Sequence, residues 1–467
     1  MGRCSLRESI RIQMIGSLTL TIQPPWSHQL NRRPTPILIK CESGGVPLTK
    51  QGQRFFSSLA ATAGVNDPAA ANRIIKKFVA SSPKAIALNA LSHLLSTRNS
   101  HPHLSAIAFP LYTKITETSW FDWNPKLVAD LIALLDKQGR YDETEALISQ
   151  AVSKLKFRER DLVQFYCNLI ESCSKHDSKQ GFNDAYGYLS ELVRNSSSLY
   201  VKRQGYKSLV SSFCEMGQPN EAENVFEEMR KNGVKPSSFE FRFIIYGYGK
   251  MGFFEDMERM VSEMEIAGFE VDTICSNMVL SSYGDYNALA KMVSWLQKMK
   301  TLQIPFSVRT YNSVLNSCPG IMSLVQDINN LPLSLGELVK VLKEDEALLV
   351  KELVESSAVL DNAVECDVSE AKLDLHGMHL GSAYLIMLQW IEEMKCRFKA
   401  EEKCVIPAQI TIVCGSGKHS SVRGESPVKS LLKKMMVQMK SPMKIDRKNI
   451  GCFTAKGHVV KNWLIPV

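Results

Sequence analysis

The sequence predicts an α-solenoid of helix pairs followed by a small α/β sandwich domain. Three observations carry that fold class. Apolar positions recur every 35 residues between Arg203 and Cys318, glycines punctuate the repeats, and beyond residue 370 the pattern changes to alternating strands and helices. Tyr206, Phe241, Ser276 and Tyr311 share one register, followed by Leu209/Ile244/Val279/Val314 and Val210/Ile245/Leu280/Leu315. A second set, Ala222/Met257/Met292, Val225/Met260/Trp295, Phe226/Val261/Leu296 and Met229/Met264/Met299, keeps i, i+3, i+4 and i+7 spacing, so each unit is two amphipathic helices. Gly217 and Gly252 lie between the helices, Gly233 and Gly268 follow the second helix where a left-handed residue is wanted, and Pro236 closes the first unit. Two helices this short cannot bury both apolar faces, so neighbours must stack.

A period near 35 also suits tetratricopeptide repeats. The segments ENVFEEMRKNGVKPS (Glu223 to Ser237) and TYNSVLNSC (Thr310 to Cys318) resemble pentatricopeptide repeats instead, and no tetratricopeptide-style Trp-Leu-Gly-Tyr pattern is present. The resemblance implies binding of single-stranded RNA at about one base per repeat. A generic helix-pair array would serve as a protein-binding scaffold. In the family, the fifth and last residues of each repeat read the base edge. Carried onto this chain, these are Lys207/Ser237, Arg242/Asp272 and Asn277/Ser307, with Asn312 opening the next unit. Asn277 with Ser307 implies a lean toward cytosine. Lys207 and Arg242 depart from the family's pattern, and their long cationic side chains imply contact with phosphate or with a base without clear choice.

Taken in order, residues 1–41 hold Arg3, Arg7, Arg11, Arg32, Arg33 and Lys40 against the single acid Glu8, with Pro24, Pro25, Pro34 and Pro36 breaking any long helix. That is the composition of an organellar transit peptide, without the apolar core of a secretory signal. Ile39-Lys40-Cys41 before Glu42 resembles a chloroplast processing site, with mitochondrion as the alternative destination and a retained basic tail as the alternative structure. Residues 42–123 form an N-terminal helical region or cap, with periodicity starting near Phe55 and helices expected over 68–80 and 83–97. The solenoid is expected over 124–318. Its degenerate early units place helices at 125–137, 141–155, 160–175 and 182–194, and its clean units begin at 203. Residues 319–370 lose the period and are expected to be a helical cap around Gly336 to Ser357, then a linker from Asp361 to Ser369.

Residues 371–467 read as βαβαββ. AKLDLHG (Ala371 to Gly377) alternates, Gly381 to Met394 has helical spacing, and QITIVCGSG (Gln409 to Gly417) is an apolar strand running into glycines. Ser426-Pro427 opens a helix ending near Met439, and two strands at about 451–455 and 458–464 flank Lys456-Gly457 as a hairpin turn. The first two strands should be parallel, because a crossover helix joins them, and ligands bind beyond the carboxyl ends of such strands. Leu-Asp-x-His-Gly followed by a Gly-x-Gly loop looks like a small MutS-related domain, and pentatricopeptide repeats followed by this domain form a plant organellar architecture. The resemblance implies RNA processing, with possible endonuclease activity or non-catalytic clamping of nucleic acid. Asp374 and His376 are its candidate catalytic pair, and Gly415, Gly417 and Lys418 its candidate phosphate contacts, since glycine amides can approach an anion closely. Cys414 stands where the family's loop begins with Thr, which removes a hydroxyl.

The composition is that of an ordinary globular chain, 45% apolar and 22% charged over 467 residues, and no apolar run approaches the ~18 residues of a membrane span. The twelve cysteines show no zinc spacing and suggest reduced thiols. The His376-x-x-His379 pair is expected to be structural rather than metal-binding, and the sequence leaves any cofactor or metal requirement open. Residues 371–467 carry 16 Lys/Arg against 7 Asp/Glu, whereas residues 42–370 sum to −6. Basic surface for an acidic partner therefore belongs to the C-terminal segment, at Lys429, Lys433, Lys434, Lys440, Lys444, Arg447 and Lys448. The leader generates the first prediction. Mass spectrometry of the endogenous N-terminus should find a mature chain beginning near Cys41 or Glu42, and a chain that still begins at Met1 would refute import with cleavage.

Overall fold

The computed structural model describes residues 48–63, 68–96, 102–327, 331–356, 358–399, 406–415 and 426–465. The expected leader lies outside them. The first helices are α1 (Lys50–Ala63), α2 (Pro68–Ser81), α3 (Lys84–Leu95) and α4 (Ala108–Thr116), the last entered through a 3-10 turn at Pro102–Ile107. Their core is Phe55 stacked on Phe78 with centroids 3.9 Å apart, and α3 and α4 pack on the helix that follows. Neither the 3-10 turn nor α4 was apparent from the periodicity.

Helix pairs then succeed one another: α5 (Pro125–Lys137) with α6 (Tyr141–Leu155), α7 (Glu159–His176) with α8 (Lys179–Asn195), α9 (Leu199–Glu215) with α10 (Pro219–Lys231), α11 (Ser238–Lys250) with α12 (Phe254–Ile266), α13 (Thr273–Asp285) with α14 (Leu289–Thr301), and α15 (Val308–Asn316) with α16 (Pro319–Gln326). The first helix of each pair packs on the first helix of the next, from α5 through α15. Both apolar registers of the repeat are buried, with Tyr206, Phe241, Val279, Tyr311, Phe226, Met264 and Met299 at 2% exposure or less. The left-handed turn residues keep the period even where glycine is lost: Gly217, Gly252 and Asn287 have φ of 72, 75 and 54°, and Gly233, Gly268 and Gln303 have φ of 73, 83 and 56°. Ser237, Asp272 and Ser307, also 35 apart, cap the N-termini of α11, α13 and α15.

Small residues set the spacing between stacked first helices. A Cβ at Gly249 would overlap Ser282, whose Cβ would be 2.6 Å away, and one at Gly284 would overlap Ser317 in the same way one unit later. The second helices are tied to each other by charge. Glu223 of α10 accepts both Arg259 Nη atoms of α12 at 2.9 Å and the Tyr248 hydroxyl, and 35 residues on Glu258 accepts Lys291 Nζ and the Tyr283 hydroxyl at 2.7 Å.

The array closes differently from the sequence expectation of a helical cap at Gly336 to Ser357 alone. The helices α17 (Leu335–Val341) and α18 (Glu344–Val354) form, and α18 packs on α14, held by Lys300 to Glu355 at 2.7 Å and Gln297 to Glu352 at 2.9 Å. The exposed face of α15 is covered instead by a helix of the C-terminal segment. The linker expected at Asp361 to Ser369 is replaced by α19 (Ala358–Ala363) and a short strand β1 (Val364–Cys366), because Val364–Cys366 pairs antiparallel with Ala371–Leu373.

Beyond it lie β2 (Glu370–Asp374), α20 (Leu380–Lys399), β3 (Gln409–Val413), α21 (Pro427–Gln438), β4 (Lys444–Ile445), β5 (Cys452–Lys456) and α22 (Gly457–Leu464). The sheet order is β1-β2-β3-β5-β4, with β2 and β3 parallel, as the crossover helix requires, and the other pairs antiparallel. The terminal hairpin expected around Lys456-Gly457 does not form. Residues 457–464 are helical because Val460 and Leu464, four apart, share a buried face and Trp463 donates to the Met439 carbonyl at 2.8 Å. Gly457 is no turn residue: any Cβ there would overlap the Pro407 carbonyl oxygen. The stacking seam yields a prediction. Gly284→Val forces Ser317 away from α13 and should cost about 1–3 kcal/mol in chemical unfolding, and unchanged stability would show that the helices do not approach as closely as described.

Candidate nucleic-acid interface

The expected reading residues lie in one row along the first helices, and each faces the N-cap region of the next unit. At the first step, Lys207 Nζ lies 4.0 Å from the centroid of Phe239, and burial pushes its amine below the ordinary lysine range while Glu240 pulls it back. Lys207 does not bond Ser237, whose backbone N and hydroxyl donate to Glu240 at 2.7 and 2.6 Å in a capping box. At the second step, Arg242 Nη2 and Asp272 Oδ2 form an ion pair at 2.6 Å, while Asp272 Oδ1 caps α13 by accepting from Cys275 N at 2.9 Å. Arg242 Nε is buried with no partner among the described residues.

The third step is an amide network. Asn277, only 4% exposed, donates to Ser307 Oγ at 3.2 Å and accepts from Thr310 Oγ1 at 2.7 Å. At the fourth step the partner is not a repeat. Asn312 Nδ2 donates to the Gly377 carbonyl and Asn312 Oδ1 accepts from His379 N, both at 2.9 Å, so this amide is committed to the C-terminal segment. Sequence reasoning missed three neighbours in the same 35-residue register, Phe239, Ile274 and Arg309. Phe239 and Ile274 are partly exposed apolar groups beside the row. The period that found Asn277 contains them too.

In the C-terminal segment, β2 and β3 end side by side, with Asp374 opposite Val413. Asp374 Oδ1 accepts from the backbone N of His376 at 2.9 Å, and Gly377, with φ of 77°, completes a turn closed by Met378 N on the Leu375 carbonyl. Asp374 therefore pins the turn. The His376 ring is largely exposed, with Nδ1 3.6 Å from Asp374 Oδ1. A Cβ on Gly415, where φ is 81°, would stand 3.7 Å from His376 Cε1, so the ring lies against the start of the β3 loop. Asp374, His376 and Gly415 thus meet at one edge, whereas Gly417 and Lys418 lie outside the described residues. Cys414 is buried, its thiol donating to the Gly451 carbonyl at 3.1 Å and pushed up to about 11 by burial, so it stands as a neutral packing group. Ser426 caps α21 and donates to the Cys414 carbonyl at 3.2 Å, bringing that helix N-terminus to the same edge. Lys433, Lys434, Lys440, Lys444, Arg447 and Lys448 are exposed and form no ion pair among the described residues. His379 is separated from His376: burial lowers its pKa, and its Nδ1 lies 2.6 Å from Asn316 Nδ2. No group of three or more His, Cys, Asp or Glu among the described residues is arranged to hold a metal ion.

Comparison with known proteins follows the array. The PPR repeat family model matches residues 204–250 and the PPR repeat model residues 241–269. The chain is 60% identical over 430 residues, 92% of its length and 85% of the relative's, to the pentatricopeptide repeat-containing protein At2g17033 of Arabidopsis thaliana. It is 24% identical over 198 residues to the pentatricopeptide repeat-containing protein At3g53170 of the same plant, covering 42% of this chain and 43% of that one. Among solved structures it is similar to the pentatricopeptide repeat protein PPR10 from maize, with a TM-score of 0.35 and 13% identity over 82% of this chain and 60% of that one. A second maize structure, PPR10 in complex with an 18-nt psaJ RNA element, aligns with a TM-score of 0.25 and 15% identity over 65% of this chain and 54% of that one.

Asn277→Ala removes one acceptor and one donor from a buried network and should lower stability by about 1–3 kcal/mol in chemical unfolding. An unchanged midpoint would mean that water or a side-chain shift satisfies Thr310 and Ser307 at no cost.

Proposed function

Because the chain belongs to the pentatricopeptide repeat proteins, as its 60% identity to a relative across 92% of its length establishes, we propose that it binds single-stranded RNA in an organelle and acts in RNA processing. The observation that carries this reading is the row of polar side chains repeated every 35 residues: Lys207, the Arg242–Asp272 pair and the Asn277–Ser307 pair. Each presents donors or acceptors at one step of a helical array, the arrangement that reads one base per repeat. The C-terminal segment, proposed to be a small MutS-related domain, adds lysines that form no ion pair among the described residues and attract phosphate. The basic leader supports a chloroplast destination, with mitochondrion as the alternative.

A second reading, RNA endonuclease, is favoured by one observation, the meeting of Asp374, His376 and Gly415 at the carboxyl ends of two parallel strands. Hydrolysis of an RNA phosphodiester needs a group to activate the nucleophilic hydroxyl, a proton donor for the leaving oxygen and donors for the developing charge. The exposed His376 imidazole is placed to act as the proton-transfer group at this edge. Asp374 fixes its turn, and the backbone amide of Gly415 is the candidate donor to the phosphate.

Both readings are tested with purified protein. Selection from a random RNA pool should enrich one short motif, and Asn277→Thr should change the base preferred at one position. Unselective RNA binding by the wild type would overturn sequence guidance. On labelled RNA containing the motif, Asp374→Ala and His376→Ala should reduce cleavage at least tenfold if the strand-end site is catalytic. Equal cleavage by all three proteins assigns the activity elsewhere, and binding without cleavage by the wild type assigns the segment a clamping role.

A further inference from the structure

The C-terminal segment is not appended to the array but occupies the place of its next repeat. The helix α20 packs on α15 and α16, as each first helix packs on the unit before it, and α18 packs on α14. Gly381, near the start of α20, allows the close approach: a Cβ there would stand 3.1 Å from Leu315 Cβ and 3.3 Å from Ile321 Cγ2. The Tyr311 hydroxyl donates to the Leu353 carbonyl at 2.6 Å, joining the last clean unit to α18. Where Arg242 meets Asp272 and Asn277 meets Ser307, Asn312 meets the Gly377–His379 turn through two hydrogen bonds, and Asn316 adds a third on His379. That turn includes His376.

From this we propose that Asn312 and Asn316 are positioning residues that hold the Asp374/His376/Gly415 edge in register with the reading row, so that a bound strand meets this edge at a fixed nucleotide spacing. The inference rests on RNA binding by the row and adds a register to it. The ligand is a continuous single strand whose bases face Arg242–Asp272 and Asn277–Ser307 and whose next phosphates, leaving the array at its C-terminal end, reach the strand edge. Asn312 then contributes no base choice of its own, since both ends of its amide are used on the turn. Position along the strand is set by three hydrogen bonds and the Gly381 contact.

The experiment uses the full mature chain and the selected RNA carrying a single 4-thiouridine placed at successive positions, with crosslinked peptides identified by mass spectrometry. In wild type, one nucleotide beyond the base lost on Asn277→Thr should crosslink to the peptide spanning 374–378 at least about fivefold more than its neighbours. In Asn312→Ala/Asn316→Ala, and separately in Gly381→Val, that crosslink should spread across several positions while the base preference set by Asn277 stays. Thermal unfolding monitored in parallel identifies a variant that fails to fold, and the double Asn variant, confined to partly exposed side chains, carries the test if Gly381→Val does not fold. Sequence-selective binding with equal crosslinking from all positions in wild type overturns the register, as does an unchanged pattern in the folded double variant. A wild type without sequence selection overturns the RNA reading itself.

Discussion

The close contact between successive first helices is the constraint on which the rest depends. Gly249 against Ser282 and Gly284 against Ser317 let two helix backbones approach within the reach of a single side chain, and the 35-residue period repeats that contact from unit to unit. With the spacing fixed, the fifth residue of one unit is brought to the N-cap of the next, and a polar row forms without any separate device to position it. The same spacing lets Glu223 meet Arg259 and Glu258 meet Lys291 along the second helices, which resists sliding between units. Individually these exposed pairs contribute little, about 0–1 kcal/mol each.

Most of the row is already paired in the free protein. Arg242 is paired, Asn277 is bonded at both ends, and Ser237, Asp272 and Ser307 all serve as helix caps. On the proposed function, a base entering at the Arg242–Asp272 or Asn277–Ser307 step would exchange existing hydrogen bonds for new ones, with a net change of the order of 1 kcal/mol per step. Selectivity in such a site comes from the bonds a wrong base fails to restore. The caps also explain why these side chains are polar on structural grounds alone, so their presence in the sequence has two causes acting at the same atoms.

Most of the array was legible because its signals are local. Helical spacing placed α5 to α8 to within about three residues, the 35-residue period marked out the units from α9 to α15, and Ser426-Pro427 marked the start of α21. What escaped depended on partners distant in the chain. Val459 and Val460 suggested a strand, but packing on α20 and the Trp463 bond to Met439 make a helix. Residues 361–369 looked like a linker because three-residue β1 has no signal apart from its pairing with β2. Asn312 shared the register of Asn277, and nothing in the sequence disclosed that its neighbour would be the Gly377 turn 65 residues away. The candidate edge was legible as Asp374 and His376 in order, but the division between them, a carboxylate spent on the turn and an imidazole left open, is a matter of geometry.

The distribution of charge has a kinetic consequence. On the array and its closing helix, Glu223, Glu258, Glu352 and Glu355 take up arginines and lysines, while Lys433, Lys434, Lys440 and Lys444 at the far end of the chain form no ion pair among the described residues. The protein is thus polarised along its sequence, with −6 over residues 42–370 and +9 over residues 371–467. On the proposed function, a polyanion diffusing toward it would be turned by this charge asymmetry and captured first at the basic end, before any base is tested. Threading would then proceed from the C-terminal end back along the row, in the direction opposite to synthesis of the chain, and lowering the ionic strength would speed the capture without sharpening the choice of sequence.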